Sequence, residues 1–183
     1  MYDKQFLCGI DESGRGPLAG PLVIAGVVMY KMIKGVTDSK KLSEKKREEI
    51  YIQIIQNSRH HIVIFDAGQV DDMGISACLR QGLLEIIHHL PEYDYLFDGN
   101  CTFGVQGITT MIKADEKILE VSAASILAKV TRDRIMLELA IQYPEYGFDK
   151  HKGYGTKAHI DAICSHGRCK EHRKSFRVKG IDD

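Results

Sequence analysis

Apolar residues fall into short dense runs near the N-terminus and into helically spaced stripes farther along the chain. Gln5 to Ile10 and Leu22 to Tyr30 read as two strands, the second rich in Val and Ile, and a Gly/Pro-rich turn between them predicts a hairpin-like opening. Ser43 is a plausible N-cap, and Ile50, Tyr51, Ile54 and Ile55 then fall on one helical face. His61 to Phe65 reads as a third strand. Ile75, Leu79, Leu83, Ile86, Ile87 and Leu90 repeat at helical spacing and stop at Pro91, after which Tyr93 to Phe97 is a strand that runs into Asp98-Gly99-Asn100. A short strand fits Ile108 to Ile112, a long helix about Leu119 to Ile141, ended by Pro144, and a shorter helix about Thr156 to Cys164. Strands first, then strands alternating with helices, predict an α/β fold with a mixed sheet covered by helices. No internal repeat, low-complexity tract or linker interrupts the pattern.

At 183 residues the chain fits one domain of ordinary size, residues 1–183, with a basic helical portion from about residue 144. The longest apolar run, Leu22 to Met29, is too short to span a bilayer, and no secretory signal follows Met1, so a cytoplasmic protein is expected. Five scattered cysteines suit reduced thiols better than a disulfide framework. The net charge is zero, but residues 150–183 hold nine Lys/Arg against four Asp/Glu, whereas residues 1–149 hold sixteen against twenty-one. An acidic body beside a basic tail could hold metal in one place and phosphates in another, although charge alone favours a solvated basic face.

Asp11-Glu12 follows one apolar strand and Asp98 another, each with a glycine within three residues. If those strands are parallel neighbours, the carboxylates project together, and such clusters require protonation, pairing or a bridging cation. Hard oxygen ligands favour magnesium or manganese. For any one aspartate, turn chemistry or a helix cap is the simpler reading, and it is retained for Asp66 and Asp71-Asp72. Gly14-Arg15-Gly16-Pro17-Leu18-Ala19 formally matches a dinucleotide fingerprint, but Pro17, Pro21 and Leu22-Val23-Ile24 announce a turn and a strand where that motif needs a helix. Cys164, His166, Cys169 and His172 could be drawn as a zinc site, although the C-x-H-x₂-C-x₂-H spacing lacks the usual separated pairs. The pairs His60-His61 and His88-His89 read as surface or satisfied core residues. Lys40, Lys41, Lys45, Lys46 and Arg47 form a basic stretch, and His151-Lys152 with Tyr154 a second. A basic loop beside clustered carboxylates is what a phosphodiester enzyme needs to hold the nucleic-acid backbone.

Taken together, Gly9-Ile10-Asp11-Glu12-Ser13-Gly14-Arg15-Gly16-Pro17-Leu18-Ala19-Gly20-Pro21 resembles the opening motif of the ribonuclease HII family, the type 2 ribonucleases H. Matches follow in family order at Asp38-Ser39-Lys40-Lys41-Leu42, Asp98-Gly99-Asn100, Lys113-Ala114-Asp115, Ser122 to Asp133, His151 to Thr156 and His172 to Phe176, covering about residues 8 to 176. The resemblance implies a ribonuclease H-like fold, with a central five-stranded mixed sheet and a helical C-terminal portion. It assigns four catalytic, metal-binding carboxylates to Asp11, Glu12, Asp98 and Asp115; capping would by itself have explained Asp115. The related ribonuclease HIII type usually carries an extra N-terminal domain and a glutamate at the last position, so Asp115 in a short chain resembles the HII type. Ser13 stands where alanine is commoner, and Arg177-Val178 where the family often has proline, which leaves the course of the tail open.

What the resemblance implies chemically is cleavage of the RNA strand of RNA–DNA hybrids, and nicking of DNA duplex 5′ to embedded ribonucleotides, leaving 3′-hydroxyl and 5′-phosphate ends. Two Mg²⁺ or Mn²⁺ ions about 4 Å apart would serve the four carboxylates. Gly14, Arg15 and Gly16, with Tyr154, would read the ribonucleotide 2′-hydroxyl, and Lys40 would anchor a phosphate. A monomer is the expected state. Two alternatives stay open: a resolvase-type DNA nuclease on the same fold, and a hybrid-binding module without catalysis.

Overall fold

The computed structural model describes residues 6–36, 42–178 and 180–182. Five strands form one sheet: β1 (Leu7–Ser13), β2 (Leu22–Met29), β3 (Ser58–Phe65), β4 (Asp94–Asp98) and β5 (Ile108–Met111), in the spatial order β3-β2-β1-β4-β5. β1, β2 and β3 pair antiparallel, while β4 and β5 run parallel to β1. The sheet is therefore mixed, and β1 is the strand where the two modes meet.

Among the described residues, six helices cover the sheet and extend it: α1 (Glu44–Asn57), α2 (Ala67–Met73), α3 (Ile75–His89), α4 (Leu119–Gln142), α5 (Phe148–His151) and α6 (Lys157–His166). Every residue of β2 is buried, because both its faces are covered, and this explains its unbroken apolar sequence. Leu22, Ile24 and Val28 join Cys8 and Ile10 in a core shared with Leu79, Leu83 and Ile86 of α3. Val23, Ala25 and Val27 face the other way, onto Ile50 and Ile54 of α1 and Ala123, Ala124, Ile126 and Leu127 of α4. On the α3 side, a Cβ at Gly26 would lie 2.5 Å from Cγ2 of Ile86, so the bare backbone at that position is what lets α3 settle onto β2. Burial pushes the Cys8 thiol in this core up to about 12.

The periodicity locates every strand, with shifted ends. β1 continues through Asp11, Glu12 and Ser13 because they pair with Ala25, Ile24 and Val23, although their polarity breaks the apolar pattern. The helix α2 was not expected from the sequence. Asp66 caps it in a full capping box with Gln69, so the turn role retained for Asp66 is a cap. Asp71 accepts hydrogen bonds from Lys174 N, Ser175 N and Ser175 Oγ, and it thereby ties the tail to α2. Beyond Phe176, Val178 is buried and its N–H donates to Asp182 Oδ2, which fixes the course of the tail that the sequence left open.

The C-terminal portion rests on a core of Ala19, Met136, Leu139, Tyr146, Phe148 and Ile163. Beside it runs a directional chain of hydrogen bonds. Cys169 N–H donates to His172 Nδ1 at 3.0 Å, which leaves the proton of His172 on Nε2, where it meets His159 Nε2 at 3.1 Å. His159 in turn holds its proton on Nδ1 and donates to the Tyr154 carbonyl at 2.9 Å. Both imidazoles must be neutral. Burial and then the neighbouring His159 push His172 down from its ordinary 6.5 to about 4, and burial also lowers His159. A proposed cysteine–histidine zinc set does not assemble among the described residues: Cys169 and His172 are in contact, but Cys164 is exposed and His172 is committed to His159.

A folded-state pKa below the unfolded one makes the unfolded chain the stronger proton binder between pH 6.5 and about 4. Stability should therefore fall as pH drops through that window, with His172 contributing at most about 1.4 kcal/mol per pH unit. Denaturant unfolding of wild type and His172→Gln across pH 4 to 7 checks this: the variant should start less stable and show the shallower dependence. Equal slopes in the two proteins would remove His172 from the acid response.

Candidate active site

Parallel pairing of β1 with β4 sets Ile10 opposite Phe97, so the next residues on the two strands, Asp11 and Asp98, stand side by side. The third carboxylate comes from a single 3-10 turn, residues 114–116, that follows β5 and leads into α4. Lys113 opens this turn in the left-handed conformation with φ 58°, and Ser122 Oγ of α4 closes it by donating to the Asp115 carbonyl at 2.6 Å. One carboxylate oxygen from each of Asp11, Asp98 and Asp115 lies within 4.8 Å of the other two.

Asp11 and Asp115 are buried, at 7% and 3% exposure. Burial, then the charge of Glu12, drives the Asp11 carboxyl well above its ordinary range, with Asp98 adding to the rise. Hydrogen bonds from Ser125 and from the Glu12 N–H, at 2.8 Å, oppose it and are too weak to reverse it. A buried carboxylate cluster with an elevated pKa is a hard-oxygen donor set that a divalent cation would neutralise. The residues present therefore fit a cation.

Glu12 behaves differently from the other three. Consecutive strand residues point to opposite sides, and its carboxylate turns to Arg15 Nε at 2.6 Å instead of joining the aspartates. It still lines the same cleft of about 410 Å³, together with Asp11, Asp98, Gly14, Arg15, Gly16, Ser125, Lys129 and Tyr154. The structure thus brings together three of the four carboxylates named from the sequence and leaves Glu12 at the wall. Lys40 falls outside the described residues, as do Asp38, Ser39 and Lys41.

Two buried arginines shape the loop at the rim. Arg173 donates to the carbonyls of Gly14 at 2.7 Å, Arg15 at 3.1 Å and Gly20 at 3.0 Å. Arg132 donates to those of Pro21 at 2.9 Å and Ala19 at 3.1 Å. Desolvation, reinforced by Arg132, pushes Arg173 down to about 10, so it remains charged at neutral pH. Gly14 has φ 103°, and a Cβ there would lie 2.5 Å from both Arg132 Nε and the Pro21 carbonyl oxygen; no other residue fits. The same loop is stitched to the glycine-flanked tyrosine segment, since Leu18 N–H donates to the Gly153 carbonyl at 2.8 Å. Tyr154 itself is 45% exposed, with the Arg132 guanidinium carbon 5.7 Å from its ring centroid.

Sequence reasoning did not single out Ser125 and Lys129. They stand one turn apart on α4 and both line the cleft, Lys129 held by Asp133 Oδ1 at 2.7 Å. Their i, i+4 spacing beside the aspartate of the preceding turn was the available signal. Arg132 and Arg173 gave no such signal, because buried arginines that bind loop carbonyls have no local pattern.

A family model described as Ribonuclease HII matches residues 8–179. The chain is 63% identical over 177 residues to the curated ribonuclease HII of Sulfurovum sp. (strain NBC37-1), covering 97% of this chain and 94% of that protein. It is 56% identical over 179 residues to that of Aliarcobacter butzleri (strain RM4018), covering 97% and 93%. Among solved structures, RNase HII from Archaeoglobus fulgidus, determined in complex with PCNA, superposes with a TM-score of 0.79 at 29% identity over 97% of this chain and 98% of that one. Ribonuclease H2 from Pyrococcus horikoshii OT3 gives 0.79 at 26% identity, covering 94% of each. The five-stranded mixed sheet is a ribonuclease H-like fold, and the chain belongs to the ribonuclease HII family.

Proposed function

We propose that this chain is a type 2 ribonuclease H: a single-domain, metal-dependent endonuclease that hydrolyses the RNA strand of RNA–DNA hybrids and nicks DNA 5′ to embedded ribonucleotides. The observation that carries the reading is the convergence of Asp11, Asp98 and Asp115 within 4.8 Å of one another, with Asp11 and Asp98 lining a cleft walled by Gly14, Arg15, Gly16 and Tyr154. Divalent cations, Mg²⁺ or Mn²⁺, held there would activate water and stabilise the leaving 3′ oxygen.

The chain's own groups do the rest. Asp11, Asp98 and Asp115 hold the cations, and Glu12 completes the set from the cleft wall when its pairing with Arg15 gives way. Lys129, fixed by Asp133, places a positive charge at the cleft for a backbone phosphate. The loop of Gly14, Arg15 and Gly16 offers bare backbone to the ribose, and the half-exposed Tyr154 ring supplies a sugar-facing surface opposite it. Lys40 is proposed as a further phosphate anchor on its sequence position. The reading includes a monomeric, cytoplasmic enzyme; among the described residues no helix is long and apolar enough to cross a membrane.

The primary test is a duplex with one embedded ribonucleotide beside an all-DNA duplex, with the cut position mapped. Cleavage 5′ to the ribonucleotide that leaves 3′-hydroxyl and 5′-phosphate ends is expected, and equal cutting of all-DNA duplex would point to a resolvase-type nuclease. Asp98→Asn should nearly abolish cleavage at saturating metal because an amide is a poor ligand for a hard cation, while thermal unfolding without metal should rise or hold as carboxylate repulsion is relieved. Activity near wild type in that variant would exclude Asp98 from the reaction. Excess EDTA should stop cutting entirely. Tyr154→Ala, if stacking contributes about 1–3 kcal/mol, should slow cleavage of the one-ribonucleotide duplex roughly ten- to a hundredfold. Tyr154→Phe should lose less, because it forfeits only a hydroxyl contact worth on the order of 1 kcal/mol. A folded Tyr154→Ala protein that cuts at the wild-type rate would leave the residue a packing role only.

A further inference from the structure

His61, Glu85 and His89 come together on the face of the sheet opposite the carboxylates, each offering a ligand atom within 4.8 Å of the others. His61 is in register with Gly26, which is itself paired with Ile10, and these residues face α3. Asp11 is one position on and therefore faces α4. The cluster is accordingly separate from the candidate active site.

Its geometry follows from the fold. Glu85 and His89 are one turn apart on α3, and the close approach of α3 at Gly26 brings that turn over β3. His89 Nδ1 sits 2.9 Å from the Glu85 carbonyl, an oxygen that can only accept, so the ring proton is on Nδ1 and Nε2 carries a free lone pair. His61 Nε2 is shielded from water and has no hydrogen-bond partner. The two rings stack with centroids 3.8 Å apart and planes within 7°. Turning the exposed His89 ring out of this stack would let both lone pairs meet one ion. The carboxylate of Glu85 supplies a negative third donor, and the C-terminal turn of a helix favours a cation.

We propose that His61, Glu85 and His89 bind a divalent transition metal of borderline softness, of the Zn²⁺ or Co²⁺ class, which clamps the last turn of α3 to β3. Two imidazoles select such an ion over Mg²⁺. Arg59, whose guanidinium donates to the His89 carbonyl at 3.5 Å, opposes any cation nearby, so the site depends on its two nitrogen ligands and on the Glu85 charge.

The test is a calorimetric titration of ZnCl₂ into the protein under saturating Mg²⁺, for wild type, His61→Gln, Glu85→Gln and His89→Gln. Wild type should show a component that weakens at least about tenfold in each variant. That component should survive in Asp98→Asn, which separates it from the carboxylate cluster. Zinc should raise the unfolding midpoint of wild type more than that of His89→Gln. Zinc bound elsewhere gives the same isotherm in all the proteins, so only a difference between them supports the site. Identical isotherms for wild type and the three variants overturn it. Should His61→Gln fail to fold, the exposed His89 carries the test alone, and magnesium-supported cleavage by His89→Gln is expected to match wild type.

Discussion

Packing three aspartates into a space of a few ångströms, two of them buried, is the constraint around which this fold is arranged. Burial and mutual repulsion push Asp11 toward its neutral form, so the cluster opposes folding unless a cation compensates. The surrounding structure has to be stable enough to hold it. The doubly covered β2, the small-residue face of α4 and the parallel β1–β4 register provide that rigidity, and none of them needs the carboxylates in order to form.

A second arrangement serves the rim of the cleft. The loop after β1 lies outside the sheet and is held by one isolated bridge, in which Leu18 accepts from the Arg173 N–H; the side chains of Arg132 and Arg173 satisfy five more of its carbonyls from beneath. Arg173 comes from the far end of the chain, and Asp71 of α2 holds the adjacent Lys174 and Ser175. The basic tail thus has a structural share beside any electrostatic one. Its charge asymmetry, read from composition as a possible phosphate surface, is partly consumed inside the protein.

The strands, α3 and α4 were legible because period-2 and period-3.6 patterns report burial directly; the adjacency of Asp11 and Asp98 was an expectation conditional on parallel neighbouring strands, a condition that β1 and β4 meet. The capping box at Asp66 and Gln69 went unread, because it sits ahead of only seven helical residues, too few for a periodic stripe. Asp115 could be placed only by family resemblance, since its approach depends on a left-handed turn at Lys113 that residue type does not announce. The pairing of His61 with His89 and of His159 with His172 joins elements far apart in sequence, and adjacent histidines in a sequence carry no information on what stacks across a sheet or a helix. Glu12 shows the reverse limit: the resemblance assigned it to the metal-binding set, whereas here its carboxylate pairs with Arg15 at the cleft wall, an orientation that residue type does not announce.

The inward turn of the loop carbonyls sorts the polarity of that backbone. In a trans peptide the C=O and the following N–H point in opposite directions, so carbonyls of Gly14 and Arg15 directed at Arg173 leave the amides of Arg15 and Gly16 directed away from it. The rim therefore presents donors and has its acceptors withdrawn. At these two peptides the backbone is one-sided: it turns its N–H groups outward and withholds its own carbonyls, leaving the acceptors of the cleft to its side chains.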